Sequence, residues 1–180
     1  MQDLGMQGGR FEVQISRIDT QSAAVTQYGQ DDIEFMVSTN TGMPLKALNK
    51  TASGGELSRI SLAIQVIASQ SSSTPTLIFD EVDVGVGGRI AQIVGERLRD
   101  LGANAQVICI THLPQVAALG TQHILVEKQT LNGQTSTSLS VLSHEQRVQE
   151  LARMLGGVDI TENTLIHARE MLSNAAADAA

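Results

Sequence analysis

Two short apolar runs constrain this chain more than anything else in it. Residues 76–79 read Thr-Leu-Ile-Phe and residues 107–110 read Val-Ile-Cys-Ile. Each ends abruptly in polar chemistry, Asp80-Glu81 after the first and Thr111-His112 after the second. Near-continuous apolar runs of this length predict strands covered on both faces, as in a parallel sheet. Between them Ile90, Ile93, Val94, Leu98 and Leu101 recur at helical spacing, and Gly102 stops the pattern. Upstream, Leu57, Ile60, Ile64 and Ile67, with Ala63 and Ala68 beside them, predict a helix over 55–68 whose stripe is core. Helix, strand, helix, strand in this order implies a right-handed crossover. The expected fold is α/β, a mostly parallel sheet flanked by helices.

Additional antiparallel strands are expected at both ends of this unit. Phe11, Val13 and Ile15 alternate with Glu12 and Gln14, and Ile33, Phe35 and Val37 alternate likewise, with Asn40-Thr41-Gly42 as a turn behind them. Residues 124–127 and 136–142 read as two more strands flanking Asn132-Gly133, a hairpin signal. Residues 114–119 predict a short helix or turn. A helix over 146–155 carries Val148, Leu151, Ala152 and Leu155, and Gly156-Gly157 ends it. A last helix over 161–172 has Thr161 or Asp159 as its cap. The tail 174–180 lacks large apolar side chains and is expected to fray, leaving 1–173 as one domain.

Composition narrows the function. The 180 residues suit one domain, and 42% hydrophobic with only 2% aromatic residues requires an aliphatic core. Twelve Lys and Arg against nineteen Asp and Glu give a net charge of -7, the opposite bias to an autonomous DNA binder. Arg97 and Arg99 stand beside Asp100 and form no basic stripe, so a nucleic-acid role needs another part of a larger protein. The single Cys109, set among Val107, Ile108 and Ile110, excludes a disulfide framework and is expected to be a buried, inert thiol. The first ten residues contain no apolar signal region, and no run is long enough to span a membrane, so a cytoplasmic chain without membrane partners is expected.

Chemistry concentrates at the predicted strand ends. Adjacent carboxylates at the end of a buried strand cannot both be core side chains, and open α/β sheets bind ligands beyond this end. Asp80 would support Mg²⁺ through water, and Glu81 would polarise the water that attacks a terminal phosphate. A solvated turn is the alternative. His112 stands at the corresponding place after the second strand, where it could donate to a phosphate or be merely structural. His123, His144 and His167 have no metal-ligand spacing. Ser53-Gly54-Gly55-Glu56 reads first as a capping box with Ser53 as cap, a reading compatible with an anion site at a helix start. Arg59 could pair with Glu56 or reach a phosphate or a neighbouring subunit. Asp83 could cap its loop or align water across an interface, and Gly85, Gly87 and Gly88 give that loop freedom. No Walker A string occurs anywhere, and Lys46, Lys50 and Lys128 lie outside any such context.

Taken together, TASGGELSRISLAIQVI (51–67), PTLIFDEVDVGVGGR (75–89), QVICITHLPQVAALG (106–120) and QELARMLGG (149–157) resemble the C-terminal half of an ABC-type ATPase head. The resemblance is closest to the RecN-like, SMC-related DNA repair proteins, and runs from Leu4 to about Leu172. It implies that Ser53, Gly54, Gly55 and Glu56 form the signature motif, which contacts ATP held by an opposing head. It further implies Asp80 as the Walker B aspartate, Glu81 as general base, 83–88 as D-loop and His112 as switch histidine. Ala52 stands where many signatures have leucine, and Gly87 where many D-loops carry aspartate, for which Asp83 would substitute. The implied cofactors are ATP and Mg²⁺. The implied partners are the Walker A-bearing N-terminal half, a second head and, through the intact protein, DNA. The implied setting is the bacterial cytoplasm, at the nucleoid. On this resemblance the chain alone is expected to bind ATP weakly and turn it over negligibly. The other expectation is a non-catalytic module for head assembly or dimerisation.

Overall fold

A computed structural model describes residues 6, 8–17, 27, 29–50, 54–70, 74–80, 82–131, 133–157 and 159–177. The strands are β1 (Arg10–Arg17), β2 (Asp31–Ser38), β3 (Lys46–Ala47), β4 (Thr76–Asp80), β5 (Gln106–Ile110), β6 (Ile124–Leu131) and β7 (Gln134–Val141). The helices are α1 (Gly54–Gln70), α2 (Gly88–Gly102), α3 (Pro114–Leu119), α4 (His144–Gly156) and α5 (Glu162–Ala177). The fold is α/β. Strands β4 and β5 pair in parallel, with α2 between them in sequence, and β1-β2-β3 and β6-β7 form separate antiparallel sheets.

The parallel pair differs from expectation in one respect. Leu77 and Phe79 of β4 and Val107 and Cys109 of β5 pack into the core with α2 residues Ala91, Val94, Leu98 and Leu101. The opposite face, carrying Ile78, Ile108 and Ile110, is exposed, Ile78 to 67%. Apolar residues on successive positions signal a strand built for two covers; in this structure one of the two faces is bare.

The same correction applies to α1. Among its described side chains Ile60 and Leu62 are buried, whereas Leu57, Ile64 and Ile67 of the predicted core stripe are exposed. On the first sheet, Phe11 faces Val37, Val13 faces Phe35 and Ile15 faces Ile33 in the expected antiparallel register. The Phe11 and Phe35 rings lie 5.6 Å apart, yet of these six residues only Val37 is buried.

A second core lies under the last helices, where Ala117 and Ala118 of α3 meet Val148, Leu151 and Ala152 of α4 and Ala168 and Leu172 of α5. Ser143 accepts from the Gln146 backbone N–H while the Gln146 side chain accepts from the Ser143 N–H. This capping box starts α4 at His144, before the expected 146. Thr161 caps α5 by accepting from the Thr164 N–H. That helix continues through 174–177, which were expected to fray; alanine favours helix there, and Arg99 donates to the Ala175 carbonyl at 3.0 Å. Arg147 closes the end of α3 by donating to the carbonyls of Ala118, Gly120 and Thr121.

Candidate functional site

The carboxyl ends of β4 and β5 are neighbours because the parallel register places Asp80 opposite Ile110. Asp80 is exposed at the strand terminus, on the same face as Ile78. The chain then turns. The Val86 N–H donates to the Asp83 carbonyl at 3.2 Å, and Gly85 has φ +72°, the left-handed region that favours glycine. This turn sends the Asp83 side chain inward, where it is 1% exposed.

A carboxylate so buried needs partners. The Thr111 hydroxyl donates to Asp83 Oδ2 across a very short contact. The same hydroxyl oxygen accepts from the Leu113 N–H at 3.0 Å, closing a tight turn around His112. The imidazole of His112 is 68% exposed, and its Nδ1 sits 3.7 Å from Asp83 Oδ1. The loop after β4 therefore grips the loop after β5, and a solvent-facing histidine stands on a buried acid. Cys109, on the covered face of β5, has its thiol pushed up to about 11, first by burial and then by the Asp83 and Asp80 carboxylates.

Of the residues singled out from sequence the structure brings Asp83 and His112 together and places Asp80 at the neighbouring strand end. Gly54 and Gly55 open α1 as expected. Ser53, Glu81 and the side chains of Glu56 and Arg59 lie outside the described residues. The Asp83 carboxylate, expected to cap its loop or to align water across an interface, is enclosed and engaged by Thr111. Sequence reasoning passed over Thr111. Its signal is local, a hydroxyl residue directly before the histidine and two residues before the N–H that it accepts from.

Elsewhere, His123 is held below the ordinary imidazole value by burial and then by the Arg147 cation, with Glu150 opposing. Among the described residues no group of three or more His, Cys, Asp or Glu could enclose a metal ion, and no helix is long and apolar enough to cross a membrane.

No family model matches the chain. It is 52% identical over 172 residues to the DNA repair protein RecN of Vibrio cholerae serotype O1, which covers 96% of this chain and 30% of that protein. It is 46% identical over 158 residues to the DNA repair protein RecN of Bacillus subtilis strain 168, covering 88% of this chain and 27% of that protein. The chain thus spans less than a third of the length of these curated relatives. Among solved structures, one from a study of ATP-driven dimerization and DNA-stimulated activation of SMC ATPases superposes with a TM-score of 0.59 at 17% identity, covering 88% of each chain. The Smc head domain with coiled coil and joint from Pyrococcus yayanosii gives 0.61 at 19% identity, covering 83% of this chain and 26% of that one. These likenesses show that the fold is that of an SMC head.

Proposed function

Because this chain is homologous over nearly its whole length to a segment of the RecN DNA repair proteins, we propose that it is the C-terminal lobe, residues 1–173, of an ATP-hydrolysing head acting in DNA double-strand break repair and recombination. The observation that carries the reading is the junction of the two parallel strand ends. An exposed carboxylate, Asp80, and an exposed imidazole, His112, stand on adjacent strand termini, with Asp83 tying the loops together. Open α/β sheets receive ligands at that edge.

Each residue has one task. Mg²⁺ bound with nucleotide phosphates keeps several waters and needs only one or two protein carboxylates, a demand that Asp80 fits from its exposed place at the strand end. When bound, the ion would neutralise charge on the phosphates. Glu81 accepts the proton of the attacking water. In its cationic form, in which both ring nitrogens donate, His112 donates from its outward edge to the terminal phosphate. Gly54 and Gly55 open α1 and, with Ser53 and Glu56, meet ATP held by a second head, since backbone N–H groups at a helix start favour an anion.

The chain contains no lysine loop to hold the β- and γ-phosphates, so a Walker A-bearing segment of the same protein has to complete the site. The bare aliphatic faces on β4–β5, on α1 and on the β1–β2 pair give such a lobe a surface to cover. DNA is engaged by the whole protein in the bacterial cytoplasm, since this segment carries a charge of -7.

Mixing decides the matter. The chain alone should neither hydrolyse ATP nor bind it at micromolar concentration with Mg²⁺; adding the Walker A-bearing part should produce turnover, and Glu81→Gln should nearly stop it. Micromolar binding by the chain alone, or full turnover in Glu81→Gln, would refute the assignment. An assembled wild-type head without turnover would instead favour a non-catalytic assembly module.

A further inference from the structure

The grip of Asp83 on the second loop gives this acid a function of its own. Three observations bear on it. Asp83 is 1% exposed, while the His112 side chain 3.7 Å away is 68% exposed, so the pair has a buried end and a free end. The two carboxylate oxygens are divided: Oδ2 accepts from the Thr111 hydroxyl, and Oδ1 faces His112 Nδ1. Thr111 in turn accepts from the Leu113 N–H, so the backbone on both sides of His112 is fastened to the same acid.

Imidazole has two nitrogens, and a carboxylate beside one of them decides which carries the proton. With Asp83 beside Nδ1, the proton of the neutral ring belongs on Nδ1 and the outward Nε2 is an acceptor. In the cationic ring both nitrogens donate, and Asp83 supplies the countercharge. At 3.7 Å the Nδ1–Oδ1 pair is an ion-pair contact, longer than a hydrogen bond, on a side chain that is otherwise exposed.

We propose that Asp83 is the positioning residue of His112, setting its tautomer and orientation through Nδ1 and, by way of the Thr111 hydroxyl, the turn that carries it. Asp83 itself touches no substrate. The anchor stands on the geometry alone, and its catalytic consequence rests on the reading of His112 as a phosphate-facing group.

Two measurements separate these levels. Side-chain ¹⁵N spectra of the 180-residue chain, at a pH where imidazoles are neutral, give the tautomer of each histidine, with His112→Gln locating the relevant signals. His112 should carry its proton on Nδ1, the reverse of free histidine, and Asp83→Ala should return it to Nε2. A wild-type His112 protonated on Nε2 overturns the proposal without any variant having to fold. In the completed ATP-hydrolysing head, Asp83→Ala should lower kcat about 10- to 100-fold, as expected for a displaced catalytic group. The KM for ATP should stay within about twofold, because ground-state binding is untouched. In a His112→Ala background the Asp83→Ala effect should vanish, whereas additive losses overturn the proposal. A wild-type head that does not hydrolyse ATP, with the Nδ1 tautomer observed, refutes the catalytic reading and upholds the anchor. Turnover in Asp83→Ala equal to wild type refutes the anchor's role and leaves the catalytic reading intact.

Discussion

Gly95 offers a sharp test of how the two loops are held in register. It lies in α2, which follows the Asp83 loop, and faces α3, which follows His112. A Cβ placed on Gly95 would stand 2.6 Å from Leu119 Cδ1 and 3.2 Å from Val116 Cα. Carbon atoms prefer about 3.5–4.0 Å. Leu119 can swing away, although it is buried among other core groups; the Val116 backbone cannot, so the helices must part by a few tenths of an ångström. Overpacking of this kind costs roughly 1–3 kcal/mol. Against it, alanine gains about 1 kcal/mol over glycine in a helix interior. The clash wins, and Gly95→Ala should lose about 1 kcal/mol, or about 0.5 M in urea midpoint at an m-value of about 2 kcal/mol/M. Gly102→Ala in the same helix is the control, because a Cβ there meets nothing within 4 Å. It should stabilise by about 0.4–1 kcal/mol through the unfolded chain. Urea titration of the three proteins settles it: Gly95→Ala as stable as Gly102→Ala would refute the close approach of α2 and α3.

Two further outcomes follow from charge and burial. Folding holds His123 below the ordinary 6.5, so as pH falls through that value the unfolded chain takes up a proton that the folded chain refuses. Stability is thus fully present above 6.5 and declines in acid, and His123→Gln should flatten the stability profile between about pH 7 and pH 5. An unchanged slope in thermal unfolding scans would sink this. For Cys109, a rise from 9.0 to about 11 lowers the thiolate fraction about 100-fold at neutral pH, so alkylation by iodoacetamide should be slower by that factor than for a free thiol. Asp83→Asn should speed it, and a wild-type rate like that of free cysteine would contradict the burial.

Much of the frame was legible because local patterns carried it. The stripe from Ile90 to Leu101 and the stop at Gly102 mark α2 to within two residues of its observed start at Gly88. Alternation over 11–15 and 33–37 gives the side-chain faces of β1 and β2, since a one-residue slip would turn every apolar side chain over, whereas the pairing of Phe11 with Val37 comes from the structure. The Ser143-x-x-Gln146 capping box was not read as a helix start, and α4 was expected two residues late. What pattern cannot supply is the covering layer. Ile64, Ile67, Ile78 and Ile110 have the composition of core positions and stand in water, because an apolar residue records the need for a neighbour and not its presence. At the site, Asp80 and His112 were marked by their strand ends. The Asp83–Thr111 contact spans 28 residues, and only its Thr111 end carried a local sign. Ser53 and Glu81, read from the chain alone, lie outside the described residues.

Asp80 shares its side of β4 with Ile78, opposite Ile110. Whatever is laid over those isoleucines must also strip water from the acid at their rim. Low permittivity strengthens the attraction between a carboxylate and a cation severalfold relative to bulk solvent. It also raises the cost of leaving that carboxylate without one. Dehydration of a greasy floor and the hold on a counter-ion thus become a single event on this strand, and assembly is felt as voltage at one oxygen pair.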